Sequence, residues 1–361
     1  MKCGVLMATI PSAHTDSRFD VRRAAMSRYQ IKVSETDIST IAAEGVSVLD
    51  ACLEGGVALE YNCRSGECGE CIATLVSGTV KELPGADPAI FNDGHRAEGK
   101  ILACMCYPQS DLVLSTRLSA RPQAAIGHHH VHVTQVIPHG PSIYEVRMLS
   151  DQPIDYEAGQ YFEWVVPGVS SNRSYSVANR PGSCELIFHV KAYEHGEVSQ
   201  YLKQGRLREG DMFELVGPYG TFGLGSQAEA PAVMVAGGTG LAPLCALLEE
   251  EFASGRKRQI RLFFGARASC ELYWLDRLQQ WAQKHPQFQY FPVIADPDSS
   301  PDWQGELGLV TDLMQRKLTD AMGYEAYLCG PPAMIDAVED LLICKGIDES
   351  DLHADRFLAV V

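Results

Sequence analysis

The sequence predicts three domains in a row: a cysteine-rich β domain, an antiparallel β barrel or sandwich, and a parallel α/β domain. Three observations carry this prediction. The 361 residues suit two or three domains of about 150 residues each. The middle block has short stretches of alternating apolar and polar residues between regular turn signals. The last block alternates buried strands with helical segments, which is the pattern of a parallel sheet.

Composition narrows the class of protein further. Hydrophobic residues make up 46% of the chain and charged residues 21%, as in ordinary folded proteins. The 46 acidic residues exceed the 30 basic ones and give a formal charge of −16. Such a chain is poorly suited to nucleic acid or to an anionic membrane surface. No segment has the roughly 20 apolar residues that would span a bilayer, so we expect neither a nucleic-acid nor a membrane partner.

The first 27 residues are expected to be a disordered leader. They contain a short apolar run, CGVLMATI, but no clean cleavage site of small residues follows it, and Met26 is an alternative start. Without export the protein is expected in the cytoplasm. In that reducing compartment, clustered thiols usually bind metal rather than form disulfides, and this chain has 12 cysteines.

The first domain, residues 28–118, contains the loop CRSGECGEC, in which Cys63, Cys68 and Cys71 have the spacing C-x4-C-x2-C. With Cys104 further along the chain, this is the plant-type ferredoxin pattern for a 2Fe–2S cluster. Four thiolates must converge on two irons, and the glycines of the loop allow it to wrap around them. The alternative is a four-cysteine zinc site, but such sites usually pair two short knuckles.

One ambiguity remains inside that pattern. Cys106 lies two residues after Cys104 in LACMCYP and competes with it as the fourth ligand. The Tyr–Pro pair that follows favours Cys104. Residues 119–127, SARPQAAIG, are small and contain proline, so they are predicted to be a linker.

The second domain, residues 128–226, contains RSYS between AGQYF and GPYGTF. These motifs resemble the ferredoxin–NADP reductase superfamily, and the resemblance implies a six-stranded antiparallel FAD barrel after a β-grasp ferredoxin domain. An arginine fork suits a diphosphate, a flat tyrosine suits the isoalloxazine, and a hydroxyl can lie beside the reactive flavin nitrogen. The implied FAD-binding residues, with Ser176 also expected to be catalytic, are Arg173, Ser174, Tyr175, Ser176, Gly196, Val198 and Ser199.

The third domain, residues 227–361, carries GGTGLAP directly after a buried strand and YLCGPP later on. A glycine-rich turn between a strand and a helix lets a diphosphate approach the backbone. In the ferredoxin–NADP reductase superfamily, the YLCGPP loop lies where the nicotinamide meets the flavin, and this makes Cys329 a catalytic candidate. The alternative is that Cys329 is a buried structural cysteine. The implied coenzyme-binding residues are Gly237, Gly238, Thr239, Gly240, Gly330 and Pro331.

Charge predicts the coenzyme. Asp296 stands where NADP-dependent relatives carry residues that grip the 2′-phosphate, so it would repel that phosphate and accept ribose hydroxyl protons. NADH is therefore expected, although Arg267 complicates the prediction. At the C-terminus, Phe357 matches the aromatic residue that family members place near the flavin. Asp355 replaces their glutamate, and the roles of both residues are left open.

Taken together, residues 29–357 resemble the reductase components of bacterial multicomponent oxygenases, in particular the soluble methane monooxygenase and phenol hydroxylase group. The resemblance implies that NADH gives a hydride to FAD, which passes single electrons through the 2Fe–2S cluster to a separate diiron or Rieske oxygenase acting on a hydrocarbon or aromatic substrate. Residues 28–118 carry 13 acidic and 7 basic side chains, so the ferredoxin domain is expected to dock on a basic face of the oxygenase.

Three alternatives share parts of these motifs. One is an NADH-dependent reductase of deoxysugar biosynthesis, of the CDP-6-deoxyglucoseen type. Another is the flavin subunit of a membrane quinone reductase, which the missing membrane anchor disfavours. The third is a redox sensor without catalysis, which the complete flavin and nicotinamide motifs disfavour.

Overall fold

The computed structural model describes residues 27–119, 124–169, 172–225, 227 and 229–357. The expected leader lies outside the described residues except for residue 27, and so does the middle of the expected linker, residues 120–123. Within the described residues, no helix is both long enough and apolar enough to cross a membrane.

The first domain is a mixed sheet with one helix packed across it. Its elements are β1 (Arg28–Val33), β2 (Ser39–Ala43), α1 (Val48–Glu54), β3 (Ile72–Ser77), β4 (Val80–Glu82), α2 (Asp93–Ala97), β5 (Lys100–Leu102), β6 (Cys106–Pro108) and β7 (Leu112–Ser115). The main sheet has the order β2-β1-β7-β3-β5, with β1 and β7 parallel. Helix α1 begins at Ser47, whose hydroxyl accepts from the Asp50 N–H, and buries its apolar face on the sheet. This is the expected β-grasp arrangement.

The second domain is a six-stranded antiparallel barrel. Its elements are β8 (Gly127–His139), β9 (Ile143–Ser150), β10 (Tyr161–Val165), β11 (Arg173–Ser176), β12 (Glu185–Lys191), α3 (Glu197–Lys203) and β13 (Met212–Tyr219). The strand order is β11-β10-β13-β8-β9-β12, and an antiparallel bridge between Val177 and Phe188 joins the two outer strands. Strand β8 starts at Gly127, the last residue of the expected linker.

The third domain is a parallel six-stranded sheet with helices on both faces. Its elements are β14 (Ala232–Gly237), α4 (Leu241–Ser254), β15 (Ile260–Ala266), α5 (Leu275–Lys284), β16 (Phe288–Ile294), β17 (Glu306–Leu307), α6 (Val310–Lys317), β18 (Glu325–Gly330), α7 (Pro332–Cys344) and β19 (Leu352–Arg356). The strand order is β17-β16-β15-β14-β18-β19. Every residue of β14 and β18 is buried, as expected for central strands covered on both faces.

Loops at the carboxyl edge of this sheet form the ligand-facing side of the domain. The turn Gly238–Gly240 connects β14 to α4, and the loop after β18 leads into α7. Helix α4 is capped at its C-terminus by Gly255, which has a left-handed φ of 74°. The two loops leave neighbouring central strands, and the turn after β14 contacts β12 of the barrel.

Candidate functional site

The four predicted cluster cysteines lie together at one end of the first domain. Cys63, Cys68 and Cys71 line the loop before β3, and Cys104 lies in a short 3₁₀ turn after β5. The Sγ atoms of Cys71 and Cys104 are 3.3 Å apart. The Cys63 N–H points at Cys68 Sγ at 3.5 Å. Backbone donors of this loop thus face the sulfurs, as a cluster site requires.

Glycine is needed at one bend of this loop for steric reasons. Gly66 has a φ of +84°, and a Cβ there would lie 2.8 Å from Cγ of Met105. Only glycine adopts this backbone conformation freely and avoids that contact. Glycine at this position therefore allows the cysteine loop to pack closely against Met105.

The thiols form two pairs rather than one tetrahedron. A hydrogen bond from Cys68 lowers the pKa of Cys63 to about 5, and one from Cys104 lowers the pKa of Cys71. In the described part of the chain, no three His, Cys, Asp or Glu side chains converge on a point that could hold one metal ion. Two pairs of thiolates suit two irons with two ligands each, whereas a zinc site needs all four at one point. The residues present therefore fit a 2Fe–2S cluster.

Cys106 lies apart from these two pairs. It begins β6 and pairs in register with Glu82 of β4. The side chain is 1% exposed, and burial raises its pKa to about 12. Cys106 thus belongs to a strand, whereas Cys104 has its Sγ atom 3.3 Å from that of Cys71.

Beside the cluster loop, a cavity of about 400 Å³ opens where the three domains meet. The barrel contributes β11, the start of α3 and the C-terminal end of β12. The third domain contributes the turn after β14, the end of β19 and Phe357. The predicted residues that line the cavity are Arg173, Ser174, Tyr175, Ser176, Gly196, Val198, Ser199, Thr239 and Phe357. A cavity of this size, formed by the expected flavin motif, can receive the reactive end of a flavin.

The structure places the remaining predicted nucleotide residues around this cavity rather than in its lining. Gly237 and Gly240 hold the turn after β14 against the loop after β18. A Cβ at Gly237 would lie 2.7 Å from Pro331 Cδ, and one at Gly240 would lie 2.1 Å from the Cys329 carbonyl oxygen. Glycine is therefore needed at these two positions so that the two loops can pack closely. The sequence motifs do not reveal this need. Gly238, with a φ of +56°, has open space instead.

Asp296 lies farther out along the carboxyl edge of the sheet. It follows β16, and its N–H donates to the carbonyl of Arg267, which follows β15, at 2.8 Å. Its Oδ1 accepts from the Ser299 N–H at 3.3 Å. Asp296 and Arg267 thus lie side by side at the carboxyl ends of two neighbouring strands, outside the lining of the three-domain cavity.

Cys329 is fully buried at the end of β18, and Asp355 lies beside it as its register partner in the neighbouring strand β19. Burial raises the pKa of Asp355 to about 7. This carboxyl group also lines the cavity. In the sequence, Asp355 stands out only as a replacement for glutamate, and nothing there indicates that it lies beside Cys329.

His189 is a further cavity residue that the motifs did not reveal. Its ring is 3% exposed, Nδ1 lies 2.9 Å from the hydroxyl of Tyr273, and Nε2 has no protein partner among the described residues. Burial lowers the pKa of His189 to about 3, so the ring is neutral at physiological pH. Nothing in its sequence context FHVKAY distinguishes it from an ordinary strand residue.

Comparisons with known proteins agree with this architecture. Residues 31–109 match the family model described as a 2Fe-2S iron-sulfur cluster binding domain. Residues 129–223 match an oxidoreductase FAD-binding domain, and residues 234–340 match an oxidoreductase NAD-binding domain. The chain is thus an oxidoreductase with one domain for each of three redox groups.

Similar proteins match this chain over most of its length. The chain is 32% identical to the phenol hydroxylase P5 protein of Acinetobacter pittii, over 92% of this chain and 95% of that protein. It is 35% identical to the xylene/toluene monooxygenase electron transfer component XylA of Pseudomonas putida, over 87% of this chain and 89% of that one. The solved structure of the Amycolatopsis cytochrome P450 reductase GcoB superposes with a TM-score of 0.82 at 31% identity, covering 91% of this chain and 98% of that one. The chain belongs to the family of iron–sulfur flavoprotein reductases that serve as reductase components of multicomponent oxygenases.

Proposed function

We propose that the chain takes a hydride from NADH at the three-domain cavity and delivers single electrons, through a cluster held by Cys63, Cys68, Cys71 and Cys104, to a separate oxygenase. One observation carries this proposal: the cavity is lined at once by the cluster loop, the flavin strand β11 and the nicotinamide domain. Bound flavin supplies the chemistry that turns an electron pair into single electrons. The domain bounds proposed with it are 28–118, 128–226 and 227–361.

The barrel residues hold and orient the flavin in this proposal. Arg173 binds the diphosphate, Tyr175 packs against the ring system, and the Ser176 hydroxyl lies beside the reactive nitrogen. Tyr175 is positioned for this by Trp164, with ring centroids 4.5 Å apart. Ser199 is fixed at the start of α3, because its hydroxyl accepts from the Tyr193 N–H at 2.9 Å.

The third domain binds the coenzyme and brings it to the flavin. The Gly238–Gly240 turn and the Cys329–Pro331 loop bind the nicotinamide end of the coenzyme beside the cavity, and Cys329 and Ser176 are the proposed catalytic residues. Asp296 selects NADH, since a carboxylate at the ribose position repels a 2′-phosphate. Arg267 beside it is exposed, but the Asp296 carboxylate would repel a 2′-phosphate that bound to this arginine.

The proposed partner is a diiron or Rieske oxygenase that acts on a hydrocarbon or aromatic compound. Relatives named for phenol, xylene and toluene oxygenases support this class. The ferredoxin domain, with 13 acidic and 7 basic residues, is proposed to dock on a basic face of that partner. We place the protein in the cytoplasm, because every described cysteine has a free thiol.

A coupling assay tests this function. The holoprotein is mixed with NADH and with purified oxygenases of the diiron and Rieske classes, and product is measured against a reaction with NADPH. We expect NADH-dependent product with at least one oxygenase, suppressed by high salt because the docking is electrostatic. Turnover with NADPH at the same rate would contradict the role of Asp296. Cytochrome c reduction without any oxygenase coupling would contradict the partner class.

A further inference from the structure

Residues 61–64, on either side of the first cluster ligand, contact both other domains. The side chain of Tyr61 and the backbone of Asn62 face the FAD barrel. Three hydrogen bonds join them to it: Tyr161 Oη donates to Asn62 O at 2.6 Å, Gly220 N donates to Tyr61 Oη at 3.0 Å, and Thr221 Oγ1 donates to Tyr61 O at 2.8 Å. The backbone that leads into Cys63 is therefore fixed against the barrel.

Arg64 continues this contact on the other side of the ligand. It has a φ of +58°, which is uncommon for a residue with a side chain. Its guanidinium donates to Glu163 of β10 at 2.6 Å and to Asp50 of α1 at 2.8 Å. It also lies 4.0 Å from the centre of the Tyr219 ring. Arg64 thus spans the boundary between the ferredoxin domain and the barrel.

The side chain of Asn62 points the other way, into the nicotinamide domain. Its amide Nδ2 donates to Asp355 Oδ1 at 2.6 Å, across 293 positions of sequence. Both residues are buried, with Asn62 5% exposed and Asp355 6% exposed. Asp355 is also the register partner of Cys329, so it lies beside that residue in the sheet. Asp355 therefore lies beside the loop of the proposed hydride site and contacts the loop of the proposed cluster site.

A buried carboxyl group depends on its hydrogen-bond donors. Removing one partner leaves the acceptor desolvated and unpaired, which costs more than the bond itself contributed. Asn62 supplies such a donor from another domain. Asn62 of the ferredoxin domain can therefore donate to Asp355 of the nicotinamide domain only when the two domains are docked as in this structure.

We propose that Asn62 and Asp355 form an interdomain positioning pair that fixes the cluster loop against the hydride loop. This inference rests on the proposed electron path. Electron transfer between two redox groups slows steeply as they separate, so the pair controls the step from flavin to cluster more than the step from NADH to flavin. Asp355 acts here through Asn62 and Cys329, and it is a positioning residue.

A double-mutant cycle on the holoprotein tests the pair. Asn62→Ala, Asp355→Ala and the double variant are mixed anaerobically with NADH, and bleaching of flavin and of cluster is followed separately. We expect each single variant to lower the ratio of the cluster rate to the flavin rate about ten-fold, and the double variant to lower it no further. Ten-fold effects that multiply to about a hundred-fold in the double variant would overturn the pairing.

Two further measurements separate positioning from general damage. Hydrogen exchange of the backbone N–H groups of residues 61–64 should accelerate in Asn62→Ala and Asp355→Ala alike, while the EPR spectrum of the reduced cluster stays unchanged. Thr221→Val is the matched control, because it removes a neighbouring interdomain hydrogen bond without touching Asp355. When the same cycle is repeated in a Thr221→Val background, the coupling between Asn62 and Asp355 should be unchanged. If Asn62→Ala does not assemble its cluster, Asp355→Ala gives the same readout from the other domain.

Failure of this inference is distinct from failure of the proposed function. If NADH does not bleach the flavin of the unaltered protein, the proposed function is wrong. If both groups are reduced in the unaltered protein but the two single variants keep its rate ratio and its exchange rates, only the positioning pair is wrong.

Discussion

Replacing Gly240 with alanine should displace the loop that carries Cys329. A Cβ at this position would lie 2.1 Å from the Cys329 carbonyl oxygen and 2.9 Å from the Gly330 nitrogen. Both atoms belong to the backbone, so no side-chain rotation relieves the contact. Ordinary carbon–oxygen contacts are about 3.3 Å, and the two loops must therefore separate by about 1 Å.

The expected consequences can be worked out from that displacement. Overpacking of this kind costs about 1–3 kcal/mol of stability, and a 1 Å misplacement of reacting groups can slow a reaction about 100-fold. We therefore expect Gly240→Ala to keep its flavin and cluster but to be reduced by NADH about 100-fold more slowly. Stopped-flow absorbance under anaerobic conditions measures this rate.

Gly255→Ala is the matched control. Gly255 ends α4 with a φ of +74°, and a Cβ at this position would meet no atom within 4 Å. Its substitution should cost about 1–2 kcal/mol through backbone strain, yet leave flavin reduction unchanged. If Gly240→Ala reduces its flavin at the rate of the unaltered protein, the packing of the two loops does not position the hydride site.

Three other sets of variants probe the cluster, the flavin contact and the buried histidine. Cys104→Ser should abolish the cluster and Cys106→Ser should spare it; a normal EPR signal in the Cys104 variant would reverse that assignment. Arg173→Ala should lower FAD retention on gel filtration, and full flavin occupancy would argue against a diphosphate contact. Because burial lowers the pKa of His189 to about 3, the stability that comes from keeping this ring neutral is present above pH 6.5 and is lost as the pH falls from 6.5 towards 3. Denaturant unfolding should show that His189→Gln removes about 2 kcal/mol of the stability difference between pH 7 and pH 5; an unchanged difference would refute the buried neutral ring.

Local patterns in the sequence predicted most of the architecture. The strand and helix periods indicated the three sheets, and the cysteine spacing selected the four thiols that the fold brings together. The glycine motif identified a turn and the RSYS motif a strand, and both contribute residues to the cavity lining. Such features are readable because neighbouring residues in sequence form one strand, turn or loop.

Contacts between domains could not be predicted in this way. Asn62 and Asp355 are 293 positions apart, and each sits in a segment whose local pattern says nothing about the other. Arg64 looked like an ordinary polar residue of the cysteine loop. The packing role of Gly240 was hidden because a glycine needed for loop-to-loop contact looks the same in a sequence as one needed for a diphosphate.

The order of electron flow tests the central claim most directly. One equivalent of NADH is mixed anaerobically with the holoprotein and with the Cys104→Ser variant, and absorbance and EPR follow flavin and cluster over time. We predict that the flavin bleaches first, that the cluster is reduced afterwards, and that the variant stops at reduced flavin. Reduction of the cluster before the flavin, or in protein stripped of FAD, would contradict this order.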